Sequence, residues 1–397
     1  MKYANRMEGL QGKRTSAWDI HYAAQQARAN GENVIVLSVG DPDFATPEVI
    51  VESAVQALRS GDTHYSEVAG RTVLREAIAR NHARATGLAV TADHVIVVAG
   101  AQNGLFAVSQ CLLEAGDEVI VPDPMYLTYE ASVRAAGATL IPVPVNLANG
   151  FHLDGDALEA AITPRTKAIF FATPCNPTGV VMPRADLERI ALLARQHDLW
   201  VLSDEVYGDL TFEREHLSIA SLSEMAARTV TLGSLSKSHA MPGWRMGWVA
   251  GPPELIGHLE RLALCMLYGL PGFIQQAALT ALEHSEQIVG EMREIYRRRR
   301  DLVYARLSTV PRLRCLLPEA GMFMMIDVSG TGLEAVDFTW QLFRLQGVSL
   351  LDASAFGDTA AGYVRLGFVV DEARLAEACE RITAFVDALD RLRAARA

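Results

Sequence analysis

The amino-acid sequence predicts an α/β fold in which a large αβα domain, built on a mostly parallel seven-stranded sheet, is joined to a smaller α+β domain. First, short apolar runs alternate with amphipathic helical stretches through the middle of the chain, as is typical of a parallel sheet covered by helices on both faces. Second, this alternation stops after about residue 290. Third, a chain of 397 residues that is 50% hydrophobic is long enough for one large core and a second lobe.

Seven apolar runs are predicted to form the short, buried strands of the large sheet. Helical stretches separate several of them, for example residues 184–197, whose apolar residues recur at helical spacing. Ligands of such sheets bind at the carboxyl ends of the strands, so polar residues directly after a run are candidates for a functional site. The runs are 95–98, 118–121, 140–143, 168–172, 200–203, 229–232 and 248–250.

The C-terminal part has a different pattern. A long charged helix is expected at 291–306, then two strands near 322–328 and 363–368, and a last amphipathic helix at 371–388. The basic run 297–300 is flanked by acidic residues and is expected to be a solvated helix face. The predicted division is an N-terminal segment of residues 1–45 that covers the site and joins the smaller domain, a large domain of residues 46–288 and a small domain of residues 289–397.

Composition excludes several classes of protein. The chain has 36 Lys and Arg against 47 Asp and Glu, a net charge of −11, which disfavours nucleic acid as the main partner. No apolar run reaches the roughly 18 residues that cross a bilayer, and no signal-peptide pattern follows Met1. The five cysteines are scattered without metal-ligand spacing. We therefore expect no metal, no membrane and no disulfide framework, and a cytoplasmic protein.

Lys237 is the strongest candidate for a chemical role. Most lysines are solvated surface charges, but this one lies in a polar loop directly after the predicted strand 229–232. A lysine amine with a lowered pKa forms a Schiff base with a carbonyl group. Ser234, Ser236 and Arg245 in the same segment offer hydroxyl and guanidinium donors for a phosphate.

Three further polar residues follow two other predicted strands. Asp204 and Tyr207 come after 200–203, and Asn176 comes after 168–172. A carboxylate in this position can pair with a cationic ring nitrogen, which makes a pyridine ring a strong electron sink. Tyr207 and Asn176 would reach the phenolic oxygen of the same ring. Taken singly these motifs are weak, and a structural carboxylate and an ordinary Asn-Pro turn are open alternatives.

A turn of small residues at 99–104 separates the predicted strand 95–98 from a helix expected to begin near Leu105. Such a turn presents backbone N–H groups at the start of a helix to a phosphate. The sequence has no P-loop motif, so nucleotide hydrolysis is not supported. Tyr126, after the run 118–121, offers a ring that can stack on a planar cofactor.

Taken in this order, the motifs resemble those of the class I aminotransferases of fold type I, which depend on pyridoxal 5′-phosphate (PLP). The resemblance extends from about Trp18 to Phe368. The matching positions are Gly40-Asp41-Pro42-Asp43-Phe44, Tyr65, Gly100-Ala101-Gln102, Tyr126, Asn176-Pro177-x-Gly179, Asp204-x-x-Tyr207, Ser234-x-x-Lys237, Arg245-x-Gly247 and Arg365.

The resemblance implies a role for each of these residues. Lys237 is expected to hold the cofactor as a Schiff base and then to move the substrate proton. The phosphate is expected to be bound by Ala101, Gln102, Ser234, Ser236 and Arg245, and by Tyr65 of a second subunit in a homodimer. The ring is expected to contact Asp204, Asn176, Tyr207 and Tyr126, and the substrate α-carboxylate to be bound by Arg365, Gly40 and Asn176. The reaction implied is ping-pong transfer of an amino group from an L-amino acid to a 2-oxo acid.

Within that family, the segments around Trp18-Asp19, Ser236-Lys237 and Cys265-Met266 are similar to those of bacterial enzymes that transfer the amino group of arginine to pyruvate. Asp19 is then expected to meet the substrate guanidinium and Trp18 to stack on it. Glu67 of a second subunit is a lesser candidate. A helix N-cap role for Asp19 and a core role for Trp18 are equally open.

Other functions share part of this pattern. An aminotransferase for aspartate, aromatic residues or alanine, and a PLP β-lyase or synthase, would use the same cofactor residues. An effector domain of a transcription regulator would need a DNA-binding module, and the roughly 40 residues before Gly40 contain no such pattern. A nucleotide-dependent α/β enzyme would need a glycine-rich phosphate motif that the sequence lacks.

Overall fold

A computed structural model describes residues 18–145 and 150–394, together with Tyr3, Met7 and Leu10. The N-terminal stretch examined for a signal peptide lies almost wholly outside the described residues. The strands are β1 (Ile35–Val36), β2 (Val95–Val98), β3 (Glu118–Asp123), β4 (Thr139–Pro144), β5 (Thr166–Ala172), β6 (Trp200–Asp204), β7 (Thr229–Ser234), β8 (Gly247–Ala250), β9 (Arg314–Cys315), β10 (Phe323–Asp327), β11 (Val348–Ser349), β12 (Leu351–Asp352) and β13 (Tyr363–Gly367).

Helices fill most of the intervals between the strands. In the last third of the chain, the helix predicted at 291–306 is longer at both ends, and the one predicted at 371–388 begins and ends later. The helices are α1 (Asp19–Ala29), α2 (Glu48–Arg59), α3 (Thr72–Thr86), α4 (Ala101–Leu112), α5 (Tyr129–Ala135), α6 (Gly155–Ala160), α7 (Arg184–Gln196), α8 (Pro253–Met266), α9 (Gly272–Glu283), α10 (Ser285–Leu307), α11 (Ala335–Gln346) and α12 (Glu372–Ala394). In the described part of the chain, none of them is both long and apolar enough to cross a membrane.

The large sheet has seven strands in the order β2-β8-β7-β6-β5-β3-β4. All neighbours are parallel except β8, which runs antiparallel to β2 and β7. Successive side chains of a strand face opposite sides, so Ile169 and Phe171 pack with α7 while Ala168 and Phe170 pack with α4 and α8. The predicted α/β class and the mostly parallel seven-stranded sheet are confirmed.

The strand β4 corrects the prediction that all seven strands are buried. It is an edge strand that pairs only with β3, and among its residues only Val143 is buried. Pro142 and Pro144 lie in this strand, and proline, which has no N–H to donate, is tolerated at a sheet edge. An apolar run therefore indicated the strand but not its place in the sheet.

A second, four-stranded antiparallel sheet has the order β12-β13-β10-β9. Its strands β10 and β13 coincide with the runs predicted near 322–328 and 363–368. The N-terminal strand β1 pairs in parallel with β11, so residues 35–36 lie beside the C-terminal part of the chain. The division into domains at residues 45 and 288 stays a prediction.

The basic run 297–300 on α10 is not the solvated face that its flanking acids suggested. Arg298 is exposed and Arg297 is partly exposed, but Arg299 and Arg300 are buried. Arg299 donates to Asp43 Oδ1 and Oδ2 at 2.6 and 2.9 Å, and Arg300 forms a similar two-bond pair with Glu213. Consecutive residues of a helix face different directions, so a run of like-charged residues does not lie on one face. An arginine can be buried where a carboxylate pairs with it. The Arg299 pair ties α10 to the segment that contains Gly40.

The helix expected to begin near Leu105 begins at Ala101. Gly100 at its N-cap position has φ +81°, a conformation that favours glycine, and Ala99 N–H donates to the Asn103 side chain at 3.1 Å. The chain therefore turns at Gly100 alone, and most of the small-residue segment belongs to the helix. This brings the first turn of α4 to the carboxyl ends of the neighbouring strands.

Candidate active site

A cleft of about 230 Å³ lies at the carboxyl ends of β5, β6 and β7. Parallel strands that end at one sheet edge bring their following residues together, although those residues are far apart in sequence. Thirteen of the fifteen predicted site residues line this cleft, namely Trp18, Gly40, Ala101, Gln102, Tyr126, Asn176, Asp204, Tyr207, Ser234, Ser236, Lys237, Arg245 and Arg365.

The Lys237 amine lies among these cleft residues. Its Nζ donates to the Gly40 carbonyl oxygen at 2.5 Å. Burial disfavours the ammonium form and lowers the pKa of Lys237 to about 8, while Asp41 opposes this shift and Arg365 and Arg245 add to it. An amine with such a pKa is neutral in roughly a tenth of the molecules at pH 7, far more often than a solvated lysine, and the neutral form is the nucleophile.

Asp204 is a buried carboxylate at the end of β6. Burial raises its pKa to about 6, although hydrogen bonds to its oxygens act in the opposite direction. These donors are the Tyr129 hydroxyl, at 2.9 Å from Oδ2, and the Val206 N–H, at 3.3 Å from Oδ1. Two fixed donors hold the carboxylate in one orientation at the cleft wall.

Two tyrosine hydroxyls face the same cleft. Burial raises the pKa of both Tyr126 and Tyr207 above the ordinary tyrosine value. Both groups therefore stay protonated at physiological pH and can donate hydrogen bonds. The Tyr207 ring packs edge-on against Phe323, with ring centroids 5.3 Å apart.

Arg365 is buried on β13 and points into the cleft from the second sheet. It donates to Asn176 Oδ1 at 2.8 Å and to the Ser38 carbonyl oxygen at 3.2 Å. Its guanidinium lies 4.8 Å from the ring centre of Phe356 and 5.3 Å from that of Phe323. No carboxylate partner of Arg365 is found among the described residues, which suits a group that binds an incoming anion.

Groups that could donate hydrogen bonds to a phosphate lie together at one end of the cleft. The Ser234 hydroxyl donates to the Met246 carbonyl oxygen at 3.0 Å, and its Oγ lies 2.9 Å from Ser236 Oγ. Arg245, with φ +53°, lies against Gly100, where an added Cβ would come within 2.3 Å of its Nη2. The glycine therefore lets the guanidinium approach the first turn of α4, where the N–H groups of Ala101 and Gln102 have no partner within the helix.

Tyr65 and Asp19 are the predicted site residues that do not line the cleft. Tyr65 is 87% exposed, and its ring packs on Tyr268 with centroids 5.2 Å apart. Asp19 is the first residue of α1 and has an exposed side chain. Trp18, not Asp19, occupies the N-cap position of α1. The lesser candidate, Glu67, is exposed and accepts a hydrogen bond from Ser66.

Tyr129 and the Ser38 carbonyl are site groups that the sequence did not reveal. Tyr129 lies three residues after Tyr126, so both can face one side at the start of a helix, and this spacing was the available signal. A backbone carbonyl carries no sequence signal at all. Both groups act by fixing the charged side chains Asp204 and Arg365.

The fold and this cleft define a class of enzyme. Residues 32–382 match the family model described as aminotransferase class I and II, and the chain belongs to this family of PLP-dependent aminotransferases. It is 53% identical to the arginine–pyruvate transaminase AruH of Pseudomonas aeruginosa, over 96% of this chain and 97% of that enzyme. It is 35% identical to the aspartate aminotransferase of Geobacillus stearothermophilus, over 98% and 100% of the two chains.

The structure agrees with these similarities. The aspartate aminotransferase from Thermus thermophilus with maleate superposes with a TM-score of 0.92 at 35% identity, over 97% of this chain and 99% of that chain. The donor set of the cleft suits PLP: an amine of lowered pKa for the aldehyde, a buried carboxylate for the ring nitrogen, and hydroxyl, guanidinium and helix N–H donors for the phosphate.

The lowered pKa of Lys237 can be measured in the apoenzyme. We expect acylation of Lys237 by limiting acetic anhydride to rise with pH and reach half of its maximum near pH 8, because only the neutral amine reacts. Mass spectrometry would quantify the labelled peptide, with exposed Lys167 as an internal control. Labelling of Lys237 that still rises above pH 10, as for a solvated amine, would contradict the assignment.

Proposed function

We propose that this enzyme transfers the α-amino group of L-arginine to pyruvate, giving the 2-oxo acid of arginine and L-alanine. The observation that carries the proposal is the 53% identity, over nearly the whole chain, to a transaminase with this substrate pair. An aminotransferase for aspartate, aromatic residues or alanine, or a β-lyase or synthase, is the alternative, since the cofactor residues would be the same.

The cleft residues would hold PLP in one orientation. Asp204 would pair with the ring nitrogen, supported by the Tyr129 hydroxyl 2.9 Å away. Asn176 and Tyr207 would donate to the phenolic oxygen, and Tyr126 would stack on the ring. The phosphate would be bound by Ser234, Ser236, Arg245 and the first turn of α4 at Ala101 and Gln102.

When bound, PLP supplies an electron sink for the electron pair of the substrate Cα–H bond. Lys237 would hold the cofactor and, once the substrate amine has replaced it, take the α-proton on Nζ and return it to the cofactor side. Its pKa of about 8 is near the operating pH, where an amine serves as both base and acid. Tyr129 and the Val206 N–H would keep Asp204 in place through both half-reactions.

The substrate would be bound at its two ends by different groups. Arg365 and the segment at Gly40 would bind the α-carboxylate, with Asn176 already positioned by its 2.8 Å bond to Arg365. Trp18 lines the cleft, and its ring is proposed to stack on the substrate guanidinium. Asp19, exposed beside it, would attract the cation from the cleft entrance.

The substrate pair can be tested by separating the two half-reactions. L-Arginine added alone to the holoenzyme should replace the visible absorption of the Lys237-bound cofactor with that of the pyridoxamine form, and pyruvate should then restore it. L-Aspartate and L-alanine, added in parallel, test the alternative donors. A spectrum that arginine leaves unchanged would overturn the arginine assignment, whereas Lys237→Ala should abolish the conversion by every donor.

Selectivity for arginine should depend more on Trp18 than on Asp19. Trp18→Leu should lower kcat/KM for arginine by about 5- to 30-fold, as loss of a cation–π contact of about 1 to 2 kcal/mol predicts. Asp19→Asn should cost about two- to fivefold, because an exposed charge contributes about 0.5 to 1 kcal/mol. Alanine as donor is the control, and equal losses on arginine and alanine would refute a side-chain role.

The enzyme is proposed to act as a homodimer with shared active sites. Tyr65, Met266, Leu267 and Tyr268 are exposed, and such apolar clusters mark protein interfaces. The Asn103 side chain on α4 donates to Met266 Sδ at 3.6 Å, so this surface borders the helix that lines the cleft. Tyr65 would then reach the phosphate site of the partner subunit. A cytoplasmic location is also proposed, in keeping with five free thiols.

Hybrid dimers distinguish a shared site from a site within one chain. Lys237→Ala and Tyr65→Ala chains, each nearly inactive alone, would be co-expressed. If Tyr65 serves the partner, each hybrid has one intact site, and random pairing restores about a quarter of wild-type activity. If Tyr65 instead contributes to the site of its own chain, each site of a hybrid lacks either Lys237 or Tyr65. The hybrids would then be inactive, which would exclude the shared site.

A further inference from the structure

Glu205 is a second carboxylate directly after Asp204, and it does not line the cleft. Adjacent side chains near the end of a strand point to opposite sides. Glu205 Oε1 accepts hydrogen bonds from the hydroxyls of Ser203 and Ser218 at 2.9 and 2.7 Å. Its side chain is 11% exposed. Burying a carboxylate costs free energy unless it is paired and hydrogen-bonded. A nearly buried carboxylate beside the proposed cofactor carboxylate is therefore expected to have a counter-charge.

His216 provides the counter-charge. Its Nε2 lies 3.0 Å from Glu205 Oε2, and its side chain is 14% exposed. An ionised carboxylate can accept hydrogen bonds but cannot donate them. His216 is therefore the donor in this hydrogen bond, and its Nε2 carries the proton. Burial alone would lower the pKa of His216, but Glu205 and then Asp209 act in the opposite direction and leave it raised. Correspondingly, His216, Ser218 and His82 outweigh burial and lower the pKa of Glu205.

Main-chain bonds of Glu205 and the ring of His216 both contact the turn that presents Tyr207. Glu205 N–H donates to the Leu232 carbonyl oxygen at 3.0 Å, and Gly208 N–H donates to the Glu205 carbonyl oxygen at 2.8 Å. The His216 ring lies against Gly208, where an added Cβ would be 3.1 Å from its Cδ2. Asp204 on one side of Glu205, and Val206 and Tyr207 on the other, line the cleft, so Glu205 is held from the side opposite to the cleft.

The loop that contains His216 and Ser218 is in turn attached to the second sheet region. Thr211 forms a β-bridge with Ala320, and Phe212 N–H donates to the Glu319 carbonyl oxygen at 2.9 Å. Ala320 lies just before β10, which pairs with the strand carrying Arg365. A continuous set of contacts thus leads from that sheet to Glu205.

We infer that Glu205 and His216 form a positioning pair for the reaction, which neutralises a second buried carboxylate beside Asp204 and fixes Tyr207 against the cofactor. Neither residue touches the cleft, so both act through their neighbours. Without His216, Glu205 would keep its hydroxyl donors but lose its nearest counter-charge, and where it stays ionised it would favour protonated, cationic groups in the site. The inference rests on the proposed cofactor roles of Asp204 and Tyr207.

A double-mutant cycle on the holoenzyme tests the pair. The measurements are the midpoint of the pH titration of the visible cofactor band, the Kd for PLP and the Tm. His216→Gln should raise the titration midpoint by about half a unit or more, whereas the same change in a Glu205→Gln background should leave it unmoved. Glu213→Gln, in the same loop but pairing with Arg300, is the matched control and should leave the midpoint unchanged.

Other outcomes separate the inference from the function on which it rests. If His216→Gln shifts the midpoint equally in both backgrounds, or lowers only the Tm, the pair is merely structural and the inference is overturned. Asp204→Asn should weaken PLP binding at least tenfold; if it does not, the proposed cofactor role of Asp204 fails instead. In the wild-type enzyme, a histidine NMR titration that finds His216 uncharged at pH 6 would also overturn the inference, without any variant.

Discussion

The contact between Lys237 Nζ and the Gly40 carbonyl oxygen, 2.5 Å apart, joins the two halves of the site. One partner follows a strand of the large sheet, and the other belongs to the N-terminal segment that Arg299 and Asp43 tie to α10. An amine held here cannot be fully hydrated, so its ammonium form is disfavoured and its pKa falls to about 8. Reactivity at this position thus follows from the packing of the N-terminal segment over the strand ends.

Three charged side chains near this amine, Asp204, Arg365 and Glu205, are buried or nearly buried and have dedicated partners. Asp204 has Tyr129, Arg365 has Asn176 and the Ser38 carbonyl, and Glu205 has His216. Burying charges costs free energy that pairing only partly offsets, so such groups are weak contributors to stability. The pairing does fix the orientation of these side chains, since each hydrogen-bonded pair has few alternative geometries. These contacts fix the side chains to which a cofactor and substrate would bind, which reduces the ordering that binding requires.

The charges of the cleft also bear on substrate choice. Among the described residues, its lining contains the cations Lys237, Arg245 and Arg365 and a single carboxylate, Asp204. A substrate with a cationic side chain cannot find its counter-charge there without competing for the proposed cofactor ligand. Recognition of a guanidinium would therefore depend on an aromatic face such as Trp18 and on acids at the entrance or in a partner subunit. The cleft itself would then bind the α-carboxylate, whereas recognition of the side chain would depend on groups at its entrance.

The sequence alone determined the strand runs, the order of the motifs and most of the residues at the cleft, because apolar periodicity and strand-end position are local properties. It did not determine the burial of β4, the partners of Arg299 and Arg300, or the first residue of α4, which depend on neighbours distant along the chain. Tyr129, the Ser38 carbonyl and the Glu205–His216 pair were likewise decided by tertiary structure. A hydrogen bond between residues far apart in sequence leaves no periodic signal, and the pKa values of Lys237 and Asp204 arise from burial that only the folded chain creates.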